Sequence, residues 1–127
     1  YRVSGRVMHG QALGRQLGVP TANVRMHRFA CPLTGVYAVE VAAGNGLSAQ
    51  GVCNVGMRPT VNGTRPVLEA HLFDFSGDLY GQLLSVEFKT FIRPEQKFAG
   101  LEQLKQQIFT DIEAVREYFL TRAGKAN

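Results

Sequence analysis

The stretch LLSVEFKTF, Leu83 to Phe91, alternates inward Leu84, Val86 and Phe88 with outward Ser85, Glu87 and Lys89, and shortly after it the period changes. Alternation at every second residue belongs to a strand with one buried face. From Leu101 onward Leu101, Leu104, Ile108, Ile112, Val115 and Phe119 recur at steps of three and four. Glu102, Gln103, Gln106, Asp111, Glu113 and Glu117 take the opposite side. That spacing predicts one amphipathic helix from Leu101 to Leu120, with TRAGKAN as a frayed tail. A chain that switches period once, near its end, has to lay the helical stripe against a sheet.

Before Phe91 the sequence breaks into short β-type runs punctuated by glycine, asparagine and proline. Tyr1 to Met8 reads as a first strand and Pro20 to Met26 as a second, irregularly entered one. Gly35 to Ala42 and Ser48 to Val55 are joined by Asn45-Gly46, a hairpin signal because both residues tolerate positive φ. GMRPTVNGTRP reads as a loop, and Val67 to Phe75 as a central strand with both faces largely apolar. The expected architecture is mainly β: about six antiparallel strands, closed or nearly closed, over residues 1–92. A connector at 93–100 leads to the helix packed outside.

The chain has 127 residues, 45% of them hydrophobic and 19% charged, which suits one soluble domain with one core. No apolar run approaches the length needed to cross a bilayer, so the expectation is a cytoplasmic protein with no membrane partner. The chain opens at Tyr1 without methionine and enters a strand at once, which predicts a piece of something longer with a partner domain ahead of it. Cys31 and Cys53 form no C-x-x-C pair and read as reduced thiols, and His9, His27 and His71 lack metal-ligand spacing. Asn62-Gly63-Thr64 reads as a turn rather than a glycosylation site. The net charge of +4 would suit nucleic acid or a phosphate-bearing substrate. Scattered basic residues and inward aromatics argue against a nucleic-acid groove, which would need exposed stacking rings.

Four features could carry chemistry, although G-K-[ST], G-x-S-x-G and H-E-x-x-H are all missing. Gly5, Gly10, Gly14 and Gly18 surround Arg15, either as a phosphate-cradling loop or as an ordinary flexible one. Thr21 and Asn23, at i and i+2, either offer hard oxygens to Mg²⁺ or bond to nearby backbone. Glu69 stands in the most apolar strand, where a carboxylate is costly unless paired, functional or exposed at a barrel mouth. FIRPEQKF, Phe91 to Phe98, brackets Arg93 and Lys97 with aromatics, as a seat for a planar ligand or as an anchored connector.

Together with GRVMHG, GRQLGVPTAN, GVYAV, NVGMRPT, LEAHLFDFSGDLYG and QIFTDIEAVREYF, these pieces resemble the riboflavin kinase (flavokinase) family. The likeness is to the C-terminal kinase domain of bacterial bifunctional riboflavin kinase/FAD synthetases and runs along nearly the whole chain. Val19, before Pro20, departs mildly from the family's usual aromatic or isoleucine. The resemblance implies a six-stranded antiparallel Greek-key barrel with one long C-terminal helix. The implied activity is transfer of the ATP γ-phosphoryl group to the ribityl 5′-hydroxyl of riboflavin, giving FMN and ADP with Mg²⁺. Thr21 and Asn23 would hold the metal beside the phosphates, and Gly10 and Arg15 would belong to the ATP loop. Leu72, Asp74 and Tyr80 fall where the family meets ATP further on, and Glu69 falls at the catalytic carboxylate. Arg93, Gln96 and Phe98 fall where the family holds the flavin. The family's N-terminal adenylyltransferase domain is absent from this sequence, so the expected product is FMN and not FAD. A flavin-binding protein without kinase activity survives as the rival only if Thr21, Asn23 and Glu69 are inert.

Overall fold

Alternating side chains close six strands on themselves in a computed structural model that describes residues 1–8, 21–26, 33–75 and 79–125. In chain order the strands are β1 (Arg2–Met8), β2 (Ala22–Met26), β3 (Gly35–Ala43), β4 (Ser48–Thr60), β5 (Gly63–Leu72) and β6 (Leu83–Arg93). Around the closed barrel their order is β1-β2-β5-β4-β3-β6, and the pairings are antiparallel. β3, β4 and β5 form a meander; β2 pairs with β5, and β6 returns between β3 and β1. This is the expected antiparallel barrel with Greek-key crossovers.

The β3–β4 hairpin turns at Asn45-Gly46, as expected. The Leu47 amide donates to Asn45 Oδ1 at 3.0 Å, and Gly46 takes φ 93°. GMRPTVNGTRP, by contrast, is not a loop. Gly56 pairs with Val67 and the ladder continues to Thr60 opposite Gly63, so only Val61 and Asn62 turn. β3 reaches only to Val55 on β4, and β2 only to Leu68 on β5. Among the described residues the hairpin therefore continues past the barrel pairings as a two-stranded ribbon with no further sheet partner, where Pro59 and Pro66 interrupt no described ladder on the outer edges. Turn formers marked its tip correctly and hid the strands on either side.

β5 also stops earlier than expected, at Leu72. Phe73 and Asp74 turn, and Asp74 adopts φ 56°, a left-handed conformation that an aspartate tolerates better than most residues.

Inward positions build the main core, with Val24, Val39, Val41, Val55, Leu68, Leu84 and Val86 fully buried. A second cluster lies outside the barrel wall, where Val36, Ala38, Val52 and Phe73 meet Val115 and Phe119 of helix α1 (Leu101–Lys125). The Arg116 guanidinium stacks over Phe73, 4.2 Å from the ring centroid. The helix continues into the expected tail as far as Lys125, and its stripe differs from the expected one at two places. Leu101 is 56% exposed, whereas Asp111, assigned above to the polar side, is buried. Asp111 stands three residues after Ile108 and four before Val115, so it lies on the apolar stripe itself.

Candidate functional site

Strand register places the polar residues of the outer wall. Asn23 pairs with Glu69, Glu69 with Asn54, Asn54 with Val36, and Val36 with Arg93, giving one row across β2, β5, β4, β3 and β6. Directly paired residues share a face. Their neighbours Val24, Leu68, Val55 and Ala70 point into the barrel, so this row points outward, toward the helix. Thr21, His71 and Val52 stand one step along on the same face. Thr21 and Asn23, two residues apart, therefore share this face.

Between this wall, α1 and the connector after β6 lies a cavity of about 240 Å³. Thr21, Glu69, His71, Asn54 and Val52 line its strand side; Leu104, Ile108 and Asp111 line the helix side; Glu95, Gln96 and Phe98 close the third side, with Arg93 at the corner. Glu69 is half-buried, and among the described residues no hydrogen bond or ion pair engages its carboxylate. The same is true of the Thr21 hydroxyl and the Asn23 amide. Oxygens brought to a cavity wall and left unspent by the chain are available to something that enters it.

The connector is fastened by the most enclosed ion pair among the described residues. Arg93 donates from Nε to Asp111 Oδ1 at 2.9 Å and from Nη2 to Oδ2 at 2.8 Å, a fork matched to the carboxylate. Gln107 Nε2 donates to Asp111 Oδ1 at 3.0 Å, and Arg93 Nη1 to the Pro94 carbonyl at 3.0 Å. The guanidinium also lies 5.7 Å from the Phe98 ring centroid. Side-chain exposure of 17% for Arg93 and 8% for Asp111 means that the pair is largely withdrawn from water. Such a pair tolerates loss of neither partner. It sets where Glu95, Gln96 and Phe98 stand relative to the helix.

Gly35 makes this corner possible. At φ 109° it begins β3, and a Cβ there would come within 2.7 Å of the Arg93 carbonyl oxygen and 2.9 Å of the Phe91 ring.

Of the residues expected to form a site, Thr21, Glu69, Arg93, Gln96 and Phe98 line this one cavity, with Asn23 beside Glu69 in the row. Leu72 has its side chain in the barrel core. Asp74 is exposed in the turn after β5, its Oδ1 3.9 Å from Arg116, and Tyr80 is half exposed before β6. Gly10 and Arg15 lie outside the described residues. Sequence reasoning missed Asn54, His71 and Asp111 as cavity residues. Asp111 could have been found from its step on the helical stripe, whereas Asn54 reads like any outward polar residue of a strand.

A closed antiparallel barrel whose outer wall and C-terminal helix flank a mostly apolar cavity with a few polar groups has the form in which small-molecule sites are commonly built. Residues 1–119 match the family model described as Flavokinase: Riboflavin kinase, and the chain belongs to the riboflavin kinase family. It is 51% identical over 119 residues to the bifunctional riboflavin kinase/FMN adenylyltransferase of Haemophilus influenzae, covering 94% of this chain and 39% of that protein. To the Pseudomonas fluorescens protein of the same name it is 54% identical over 117 residues, covering 91% and 37%. The chain thus spans less than two fifths of these bifunctional relatives.

Among solved structures, one titled as a macrolide-efflux protein from Streptococcus pneumoniae aligns with TM-score 0.82 and 34% identity, covering 91% of this chain and 38% of that one. Riboflavin kinase from Trypanosoma brucei aligns with TM-score 0.64 and 22% identity, covering 94% and 79%, which bears on the fold alone. Among the described residues no helix is long and apolar enough to cross a membrane.

Proposed function

We propose that this chain transfers the γ-phosphoryl group of ATP to the ribityl 5′-hydroxyl of riboflavin, yielding FMN and ADP. The observation that carries the reading is the row Asn23–Glu69–Asn54–Val36–Arg93, which passes from uncharged oxygens through a carboxylate to the connector bearing Gln96 and Phe98. An elongated substrate lying along it would meet one kind of chemistry at each end. The phosphate end would lie at Thr21 and Asn23, the hydroxyl at Glu69, and the planar ring between Phe98 and the helix.

In the transfer the 5′-oxygen bonds to the γ-phosphorus and the bond to the β–γ bridging oxygen breaks, leaving ADP. Glu69 takes the hydroxyl proton, provided that the bound substrate comes within hydrogen-bond reach. The transition state is loose, so positioning does much of the catalysis. The Arg93–Asp111 fork serves that purpose by fixing the ring-binding wall.

The donor set also fits magnesium. The hydroxyl of Thr21 and the amide oxygen of Asn23 are hard oxygens, assigned to the metal by resemblance, and they stand beside Glu69 on one face. Mg²⁺ accepts such partial coordination because it keeps waters and uses substrate phosphates. When bound, it would offset negative charge on the phosphate oxygens.

Gly10 and Arg15 are assigned to the nucleotide-binding loop by resemblance. A nucleotide extending past the end of β5 would meet Asp74 and Tyr80, with Leu72 contributing its backbone.

The test is incubation of the folded chain with riboflavin, ATP and Mg²⁺, followed by separation of the flavins. FMN and ADP should appear in equal amounts; no FMN from a sample that melts cooperatively would overturn the reading.

A further inference from the structure

We infer that Asn54 positions the acceptor substrate by accepting a hydrogen bond from a secondary hydroxyl of its polyol chain. The inference rests on the proposed phosphorylation of riboflavin and gives a role to Asn54, which opens the NVGMRPT stretch but received none from the sequence motifs or the resemblance.

Asn54 lines the cavity, yet its Oδ1 is buried and has no hydrogen-bond partner. Buried side-chain oxygens without partners are uncommon, because each has given up water for nothing in return. Here the neighbours explain the vacancy. Glu69, opposite on β5, is an acceptor when ionised, and Val36, opposite on β3, has no polar side-chain atom. Neither strand neighbour supplies a donor, and one that entered the cavity would satisfy this oxygen. The terminal torsion of an asparagine is broad, so a modest rotation turns the amide oxygen toward such a donor.

Register then says which donor. Asn54 lies between Glu69, at the reacting hydroxyl, and Arg93, at the connector that closes the ring end. Neighbouring strands are about 4.8 Å apart, roughly the reach between a terminal hydroxyl and one a few carbons along an extended polyol. A chain joining hydroxyl to ring must cross Asn54, and what it carries there is O–H groups. Because the oxygen is already desolvated, a hydroxyl that reaches it gains a bond without stripping water from the protein.

The test compares riboflavin with its 5-hydroxypentyl analogue, which keeps the terminal hydroxyl and the ring but lacks the three secondary hydroxyls. The native chain should prefer riboflavin in kcat/KM by about 10- to 100-fold, as expected when one buried partner is lost. Asn54→Ala should lower kcat/KM on riboflavin about tenfold or more and on the analogue much less, narrowing the preference. Asn54→Ser, which keeps an oxygen, should fall between, and it carries the test if the alanine variant fails to fold. Affinity for lumiflavin, which has no polyol, should be the same in native and variant chains.

An undiminished preference in a folded variant would overturn the inference, and so would equal losses on both substrates together with weaker lumiflavin binding. If the native chain forms no FMN at all, the functional reading fails instead. Asn54 is then judged by binding alone: riboflavin over lumiflavin in the native chain but not in Asn54→Ala supports it, and no difference between the two overturns it.

Discussion

Leu68 and Glu69 are adjacent on β5 and do opposite things. Leu68 is fully buried inside the barrel among Val24, Val55 and other apolar side chains, while Glu69 faces outward into a half-covered cavity beneath α1. The same contrast runs around the wall: Val24 against Asn23, and Val55 against Asn54. The period of two in a strand makes a site on one face of a barrel independent of the core on the other. The interior holds the barrel together, and the outer row carries the proposed chemistry.

The most forceful way to break that comparison is to change each member alone. Glu69→Gln should lower FMN formation by about 10²- to 10⁴-fold, the usual contribution of a positioned base, while the melting temperature and flavin affinity stay near native. Leu68→Ala should cost about 2–5 kcal/mol in urea unfolding, with activity per folded molecule retained. If Leu68→Ala abolished turnover in fully folded protein, the two faces would not be independent.

Next in size is the fork that joins the regions. Asp111→Ala leaves Arg93 without its carboxylate and should destabilise the fold by on the order of 3 kcal/mol, the lower end for an enclosed pair because Arg93 keeps some water contact. It should also raise the KM for riboflavin more than that for ATP, since the connector is fastened on the ring side. Equal effects on both constants would show that the fork only stabilises.

Gly35→Ala should cost about 1–3 kcal/mol, because alanine resists φ 109° and its Cβ meets the Arg93 carbonyl. Calorimetry and the riboflavin KM would register the displaced corner.

The smallest effect belongs to the solvent-facing ladder of β6 and β1, far from the row. Lys89 Nζ lies 3.0 Å from Glu87 Oε1, and Arg2 Nη2 lies 3.3 Å from Oε2. Hydrogen bonds from Lys89 and then Arg2 hold the Glu87 carboxyl below its ordinary range, and Glu87 raises Lys89. A depressed acid stabilises the fold above its unfolded pKa and loses that contribution as pH falls through the folded one. The raised lysine keeps its contribution below the ordinary lysine range and loses it as pH rises further. Melting temperatures of Glu87→Gln and native chain should therefore differ slightly near neutral pH and converge in acid, and in high salt. FMN formation should be untouched.

Much of this molecule was legible because period and turn chemistry are local. LLSVEFKTF, the Asn45-Gly46 hairpin and the helical spacing after Leu101 each fixed an element without reference to its neighbours. What stayed hidden depends on partners distant in sequence. The ribbon at 56–66 looked like loop because its prolines matter only if a strand has a neighbour to pair with, and among the described residues neither ribbon strand has one on its outer side. Asp111 was read as solvent-facing because a carboxylate on an apolar stripe makes sense only when Arg93 is known to be opposite it. Asn54 opens the NVGMRPT stretch, yet nothing local marked its role, since that depends on an oxygen left over after the strands pair. Thr21, Asn23 and Glu69 were legible as oddities, and register is what put them on one face.

A crystal structure of the chain with riboflavin and a non-hydrolysable ATP analogue would show whether the outer row receives the substrate. The flavin ring should lie between Phe98 and α1, with its 5′-hydroxyl about 2.6–3.2 Å from a Glu69 carboxylate oxygen. A flavin bound inside the barrel, or on the outer wall with its 5′-hydroxyl turned away from Glu69, would contradict that placement.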